Sequence, residues 1–287
     1  MQITIDHLKN MKHTGEKIPT VTAYDYTSAR IIDQIGIPLI LVGDTLGQVV
    51  LGYGSTLPVT MEDMVHHTQA VSRGTTNALI VADMPFMSYQ VTARDALWNA
   101  GVLVKKGGAH AVKLEGGVFI AEKVKQIVST GIPVMGHIGL TPQSVNQLSG
   151  YKVQGKTLES AKSLIEDAKA LEQSGVFAIV LECVPAQLAK LITSLISIPT
   201  ISIGSGKDCD GQVQVFHDML GLFQDFTPKH AKKYTNLAEN IQNALKSYIK
   251  EVKDGDFPDN SHSYQIKKSI FEELSMLYSL KSHPNRQ

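Results

Sequence analysis

The chain has 287 residues, 43% of them hydrophobic and 19% charged, a composition typical of folded proteins and unlike that of disordered or collagen-like chains. Lys plus Arg and Asp plus Glu balance at 27 each, which argues against nucleic acid or anionic lipid as partners because no broad positive field is present. Two cysteines outside any CxxC pair are too few for a disulfide scaffold.

Gly, Pro and Asp interrupt every apolar stretch before it reaches the roughly 18 residues of a membrane span, and residues 1–10 lack the apolar core of a secretion signal. We therefore expect a cytoplasmic protein.

Short β-branched runs recur along the chain, and each ends in a polar or glycine-rich tip. Near-continuous apolar runs such as 38–42 and 177–181 are typical of parallel strands that are buried on both faces. The predicted strands are Ile18–Asp25, Ile37–Asp44, Ala78–Asp83, Ala111–Glu115, Pro133–His137, Phe177–Glu182, Pro199–Gly204 and, more weakly, Val213–Leu220.

Helical segments alternate with these runs. Ala, Leu, Lys and Glu are frequent in them, and glycines close several of their ends. Examples are Met61–Arg73, Ala93–Lys106, Phe119–Thr130, Thr157–Ser174 and Ala186–Ile196. Eight parallel strands that alternate with helices predict an α/β fold, a (β/α)8 TIM barrel.

The end of the chain has a different pattern. Apolar residues at spacings of three or four predict a helix from about Lys229 to Val252, and a second amphipathic stretch follows Pro258. We expect a barrel domain over 1–258 and additional C-terminal helices over 259–287 that pack on the barrel or on a neighbouring subunit.

A long loop follows the fifth predicted strand. Residues 140–156 contain Pro142, Gly150 and Gly155 among hydroxyl and amide side chains. Loops of this length after a barrel strand commonly cover a ligand, so we interpret this one as an active-site flap; the alternative is a mobile surface loop.

Charged side chains end several of the apolar runs. In a TIM barrel the active site lies at the carboxyl ends of the strands, where this chain carries Asp25, Asp44, Asp83, Lys113, Glu115, His137 and Glu182. A buried carboxylate cluster repels itself unless a cation is present, and Mg²⁺ takes oxygen ligands, usually one or two of them carboxylates. Asp44 and Asp83 are the predicted metal ligands.

Seven segments carry a resemblance to a known family. They are VTAYDY from Val21, ILVGDTLGQVVLGYGSTLPVT from Ile40, VADMPFMSY from Val81, AVKLEGG from Ala111, GIPVMGHIGLTPQSVNQLSGYKVQGK from Gly131, FAIVLECVP from Phe177 and CDGQVQVFHDMLGL from Cys209. Together they resemble the ketopantoate hydroxymethyltransferase family over most of the chain.

The resemblance implies an activity and site roles. Members transfer a one-carbon unit from 5,10-methylenetetrahydrofolate to 3-methyl-2-oxobutanoate, which gives 2-dehydropantoate on the route to pantothenate by way of a Mg²⁺-stabilised enolate. It also implies a homo-oligomer, commonly a decamer. The implied roles are metal binding for Asp44 and Asp83, support of the metal through water for Glu115, contact with the oxo acid for Asp44, Thr45, Asp83 and Lys113, and proton acceptance for Glu182.

The residues are consistent with these roles. Lys113 can neutralise a substrate carboxylate, and burial can raise the proton affinity of Glu182, as suits a general base. The chain departs from the family pattern at Thr45, where Ser is usual, and at Ser202 and Ser205, where Gly and Ala are usual.

Several of these residues have a structural alternative. Asp25 is interpreted as a helix cap or a loop hydrogen-bonding residue and not as a ligand. Lys113 can form an ion pair with Glu115, since residues two apart on a strand share a face. His137 is equally consistent with a substrate contact or acid–base helper and with a hydrogen-bonded structural role.

Three other functions are also consistent with the sequence. They are a Mg²⁺-dependent lyase or mutase for another small 2-oxo acid, a Schiff-base aldolase with Lys113 as nucleophile, and a barrel scaffold without catalysis.

Overall fold

The computed structural model describes residues 2–278 of the chain. Its eight strands are all parallel and form a closed barrel, in which β8 pairs with both β7 and β1. The strands are β1 (Ile18–Thr22), β2 (Leu39–Val42), β3 (Leu79–Asp83), β4 (Ala111–Glu115), β5 (Val134–Gly139), β6 (Ala178–Glu182), β7 (Thr200–Ile203) and β8 (Gly211–Gln214). The predicted (β/α)8 barrel is confirmed.

Side chains alternate between the two faces of each strand, and this divides the core into two clusters. Leu39 and Leu41 of β2 belong to an inner cluster that fills the barrel, whereas Ile40 and Val42 belong to the larger cluster that includes apolar side chains of the helices. Successive side chains point to opposite faces of a strand, so burial on both sides explains the near-continuous apolar runs.

Most helices surround this barrel, and their first turns are capped by side chains. Thr60, Thr92 and Thr157 each accept a hydrogen bond from the backbone N–H three residues later, which satisfies an otherwise unpaired donor of the first turn. The helices are α1 (Ile5–Thr14), α2 (Tyr26–Gln34), α3 (Leu46–Val49), α4 (Met61–Gly74), α5 (Ala93–Val102), α6 (Ala121–Ser129), α7 (Leu158–Gln173), α8 (Ala186–Leu195), α9 (Phe216–Met219), α10 (Leu237–Asp254) and α11 (Lys268–Tyr278). The five predicted crossover helices are confirmed, with α5 continuing as a π-helical turn over Leu103–Gly107.

Two sequence-based boundaries were wrong. The eighth strand is Gly211–Gln214 and not Val213–Leu220, because the second half of the predicted run forms α9. Residues 229–236 are not helical, since Tyr234 N–H donates to the carbonyl of Met219 and Lys232 N–H donates to the side chain of Gln214. These bonds to residues of β8 and α9 replace the helical pattern.

The chain divides into two compact units, Met1–Thr235 and Asn236–Gln287. The second unit contains α10 and α11, and neither helix has a buried residue. The predicted division at residue 258 falls inside this unit and stays a prediction, and residues 279–287 of the predicted extension lie outside the described residues. Over residues 2–278, no helix has the length and apolar character needed to cross a membrane.

Candidate active site

Strand register brings the charged strand ends together inside the barrel. Asp83 is paired in register with Lys113, and Glu115 with His137. Asp83, Lys113 and Glu115 continue the inward-facing rows that begin with the buried apolar residues of β3 and β4, because side chains two apart share a face. The polar row is therefore a direct continuation of the apolar barrel core.

One pocket contains every predicted site residue. Its described lining includes Asp44, Thr45, Asp83, Lys113, Glu115, His137 and Glu182, and its volume is about 40 Å³. Asp25 is not in that lining; its carboxylate caps α2 by accepting a hydrogen bond from Ser28 N–H at 2.9 Å. The structure supports the interpretation of Asp25 as a helix cap.

Lys113 is the buried cation of this pocket, with a side chain that is 4% exposed. Its Nζ lies 3.2 Å from Asp83 Oδ1 and 3.1 Å from His137 Nδ1. Lys113 therefore forms its ion pair with Asp83. The alternative offered by the sequence, an ion pair with Glu115, was wrong. Burial alone lowers the pKa of Lys113, but Asp83, Glu115 and Asp44 outweigh it and raise that pKa, so the amine stays protonated.

His137 lies between two carboxylates. Its Nδ1 is 3.5 Å from Glu115 Oε1, and its Nε2 is 3.2 Å from Glu182 Oε2, although the latter contact does not have hydrogen-bond geometry. Burial and Lys113 lower the pKa of His137, whereas Glu115 and Glu182 raise it; the carboxylates prevail, and the pKa is about 9. The ring links Glu182 to the rest of the charged cluster.

Glu182 is held by a tight turn at the end of β6. Cys183, the next residue, has a φ of +48°, a left-handed conformation that is uncommon for residues other than glycine. Ser205 braces the turn, because its hydroxyl donates to the carbonyl of Leu181 at 2.8 Å and accepts from Val184 N–H at 2.9 Å. Ser202 in turn accepts from Ser205 N–H at 3.0 Å. The two unusual serines thus support the segment that carries Glu182.

Gln143, in the loop 140–156, was not found by sequence analysis. Its side-chain Nε2 donates to Asp44 Oδ2 at 2.8 Å and to the carbonyl of Met84 at 2.9 Å. Its Oε1 accepts from Tyr89 OH, and its backbone N–H donates to Glu115 Oε2 at 3.0 Å. An amide in a polar loop carries no distinguishing sequence signal, yet this one joins the predicted flap to two site carboxylates.

A second contact ties the far end of the same loop to the site. Gln154 N–H donates to the carbonyl of Cys183 at 3.0 Å. Burial raises the pKa of Tyr151, and the nearby carboxylates of Glu182 and Asp44 raise it further. The loop therefore lies against the pocket, as the prediction of an active-site flap requires.

Asp44 and Asp83 have the chemistry of a Mg²⁺ site. Burial, together with the charges of Asp83 and Glu115, raises the pKa of Asp44 well above its usual value. Asp83 Oδ2 accepts a hydrogen bond from Asp44 N–H at 3.0 Å, while the buried Asp83 Oδ1 has no hydrogen bond and is paired only with the charge of Lys113, at 3.2 Å. A hard cation would offset the repulsion and give that oxygen a ligand role.

Glu115 is in a different environment from Asp44. Burial favours its protonation, but His137, Lys113 and the N–H of Gln143 outweigh this and lower its pKa. Within residues 2–278, no group of three or more His, Cys, Asp or Glu side chains is arranged to hold a metal by itself. A site built on two aspartates leaves the remaining Mg²⁺ positions to water and substrate oxygens, which is the usual pattern for this ion.

The chain is similar to known proteins over most of its length. The model of a family described as ketopantoate hydroxymethyltransferase matches residues 2–260. The chain is 62% identical to a 3-methyl-2-oxobutanoate hydroxymethyltransferase of Dehalococcoides mccartyi (strain CBDB1) over 274 residues, covering 96% of this chain and 98% of that protein. A protein of the same name from Clostridium botulinum (strain Langeland) is 57% identical over 274 residues, 96% of this chain and all of its own length.

Solved structures show the same fold at low sequence identity. Phosphonopyruvate hydrolase superposes with a TM-score of 0.60 at 11% identity, covering 97% of each chain. Oxaloacetate acetylhydrolase in complex with 3,3-difluorooxalacetate superposes with a TM-score of 0.56 at 12% identity, covering 96% of this chain and 94% of its own. At these identities the likeness concerns the fold alone.

Proposed function

The chain belongs to the ketopantoate hydroxymethyltransferase family, and we propose that it transfers a one-carbon unit from 5,10-methylenetetrahydrofolate to 3-methyl-2-oxobutanoate through a Mg²⁺-stabilised enolate. The product is 2-dehydropantoate, a precursor of pantothenate. The observation that carries the proposal is the convergence of Asp44, Asp83, Lys113 and Glu182 on one pocket.

Asp44 and Asp83 would hold the metal, and Glu115 would support it through water. Bound Mg²⁺ supplies the positive charge that polarises a 2-oxo acid and favours loss of the adjacent proton. Gln143 keeps the Asp44 carboxylate in place from the flap side, and Asp44 N–H does the same for Asp83. The two carboxylates are therefore positioned by the protein itself.

Lys113 and Thr45 would orient the oxo acid. The ammonium group of Lys113 lies 3.2 Å from Asp83 Oδ1 in the pocket, where it can neutralise the substrate carboxylate. Thr45 Oγ1 is 2.7 Å from Tyr24 OH, and this contact fixes the hydroxyl at the wall of the pocket. A fixed donor and a fixed charge restrict the substrate to one orientation.

Glu182 would accept the proton from C3 of the oxo acid. The lone pair left at C3 then forms the new bond to the methylene carbon of the donor, and both bonds from that carbon to the folate nitrogens break. The two nitrogens take up the proton from C3 and one proton of water. Water balances the reaction by supplying the hydroxyl group of the product. The His137 ring, whose pKa of about 9 keeps it positively charged, has its Nε2 3.2 Å from the Glu182 carboxylate and would hold that carboxylate in the pocket.

The raised pKa of Lys113 weakens the Schiff-base alternative. A Schiff base requires the neutral amine as nucleophile, and the carboxylates around Lys113 favour the ammonium form. A lyase or mutase for another 2-oxo acid would use the same charged pocket, but its products would not depend on methylenetetrahydrofolate.

Hydrogen exchange at C3 tests the role of Glu182 separately from transfer. With Mg²⁺ but without donor, the wild-type protein in D₂O should replace the C3 proton of 3-methyl-2-oxobutanoate by deuterium, as followed by NMR. Glu182→Gln should slow this exchange by about 10²- to 10⁴-fold, the usual contribution of a general base.

The matched control is Glu166→Gln, because Glu166 is a glutamate on α7 whose side chain is 65% exposed. It should exchange at the wild-type rate. Exchange that survives both Glu182→Gln and metal chelation contradicts the proposed mechanism, and absence of 2-dehydropantoate with both substrates and Mg²⁺ present contradicts the proposed reaction.

A cytoplasmic location and a homo-oligomeric assembly, a decamer by family resemblance, remain proposals. The measurement that checks the assembly is the mass of the particle in solution.

A further inference from the structure

The site described so far accommodates one of two substrates. The pocket that contains Glu182 and Lys113 has a volume of about 40 Å³, which is far too small for a folate. A folate donor has a pterin ring, an aminobenzoyl group and a glutamate tail, and therefore needs a larger space that opens onto the same carboxylates.

A cleft of about 700 Å³ adjoins that pocket. Glu115 lines both spaces, and Gln143 forms part of the cleft wall while it bonds to Asp44. The cleft is formed by the segments that follow β2, β3, β4 and β5, on the face of the barrel where the active site lies. A ligand in it would reach the oxo acid pocket along Glu115.

Exposed aromatic side chains line the cleft. Phe119 is 81% exposed and Phe86 is 37% exposed, and both line the same cleft, so two aromatic rings are available to a ligand there. Amide groups of Gln90, Asn146 and Gln147 also line it. This combination suits a flat heteroaromatic ring whose edge carries hydrogen-bond donors and acceptors.

The charge in the cleft indicates which part of the donor it would take. Among its described lining residues, Glu115 carries the only charge, so the interior favours the uncharged pterin over the glutamate carboxylates. Lys123 is next to the cleft: its Nζ donates to the carbonyl of Gln90 and lies 5.5 Å from the Phe119 ring centroid. The anionic tail would leave the cleft past this cation.

A second cleft, of about 820 Å³, is the rival position. It is lined by Lys17, Lys207 and Lys229, which would attract the tail. However, it shares no lining residue with the oxo acid pocket: Gln212 and Gln214 face it, whereas Val213 between them faces the pocket. Strand β8 thus lies between the lysine-lined cleft and the oxo acid pocket, although Cys183 of that cleft directly follows Glu182.

We propose that the cleft between Phe86 and Phe119 is the binding site for the pterin ring of the folate donor. This assignment rests on the proposed function, and it places the donor against Glu115 and Gln143.

Calorimetric titration with tetrahydrofolate tests the assignment without turnover. Phe119→Ala and Phe86→Ala should each raise the Kd for tetrahydrofolate by about tenfold, the order of a lost aromatic stacking contact. The Kd for 3-methyl-2-oxobutanoate with Mg²⁺ should stay within about twofold of wild type. The matched control is Phe226→Ala, because Phe226 is 62% exposed and lies outside the cleft lining.

The combined Lys207→Gln and Lys229→Gln variant tests the rival cleft, and its Kd for tetrahydrofolate should equal that of wild type. A tenfold rise in this variant, with no change in the two phenylalanine variants, overturns the assignment. If the wild type makes product from the methylene donor while Phe86→Ala and Phe119→Ala keep the wild-type Kd, only the cleft assignment fails. If the wild type neither binds tetrahydrofolate nor makes product, the proposed function fails as well.

Discussion

Replacement of Gln143 by Leu removes every side-chain hydrogen bond between the flap and the oxo acid site. The leucine keeps a similar volume but leaves Asp44 Oδ2, the carbonyl of Met84 and Gln90 Nε2 without this partner, whereas Tyr89 OH keeps its hydrogen bonds to the backbone of Glu115. A hydrogen bond to a carboxylate contributes about 2 kcal/mol, and each neutral buried group costs about 1 kcal/mol when it loses its partner. The expected loss in the free energy of unfolding is about 4 kcal/mol, a large share of the roughly 5–15 kcal/mol of a typical domain.

Urea denaturation measures this loss, with Gln147→Leu as the matched control. Gln147 lies in the same loop, but its side chain is exposed, so its substitution should change the free energy of unfolding by no more than about 0.5 kcal/mol. We also expect Gln143→Leu to weaken Mn²⁺ binding several-fold in calorimetric titration, because the Asp44 carboxylate is no longer held. If Gln143→Leu matched Gln147→Leu in both measurements, the inference that Gln143 positions the site carboxylates would be refuted.

Two further predictions concern buried hydrogen bonds away from the metal ligands. Ser205→Ala should lower the free energy of unfolding by about 2 kcal/mol in urea denaturation, since two buried backbone groups lose their partner. The control is Ser194→Ala, because Ser194 is exposed. An equal effect of the two substitutions contradicts the inference that Ser205 supports the turn after β6. Burial alone would raise the pKa of Asp33, but the N–H groups of residues 76–78 outweigh it and lower that pKa. The stabilisation is therefore complete above the unfolded-state pKa of about 3.9 and is lost as pH falls through the lower folded-state pKa. Asp33→Ala should cost about 3 kcal/mol at pH 7, and a cost that does not shrink as the pH falls below about 4 contradicts the electrostatic explanation.

The barrel could be predicted from sequence because most of its strands are buried on both faces. Strand β2 is the run Leu-Ile-Leu-Val with four buried residues, and such a run is distinctive. Strand β8 reads Gly-Gln-Val-Gln, and its first glutamine is exposed, so its boundaries could not be found by counting apolar residues. The failure of the eighth boundary is thus a consequence of one-sided burial.

The site residues also differ in whether the sequence alone could identify them. Asp83 and Glu182 end apolar runs, and the rule that barrel sites lie at the carboxyl ends of strands was enough to select them. Gln143 is 99 residues from Asp44 in sequence, and only the folded loop brings the two together. Ser205 likewise acts on a turn more than 20 residues away, which spacing along the chain does not reveal.

Closure of the barrel by β1 and β8 has a consequence for how the chain folds. Ile18 pairs in register with Gly211, so the last seam of the sheet forms only after about three quarters of the polypeptide has been synthesised. Until then, β1 and β7 each have an open edge with unpaired backbone groups, which is a template for association with other chains. Such long-range pairing slows folding, and the interval before β8 arrives is when the nascent protein is most exposed to aggregation.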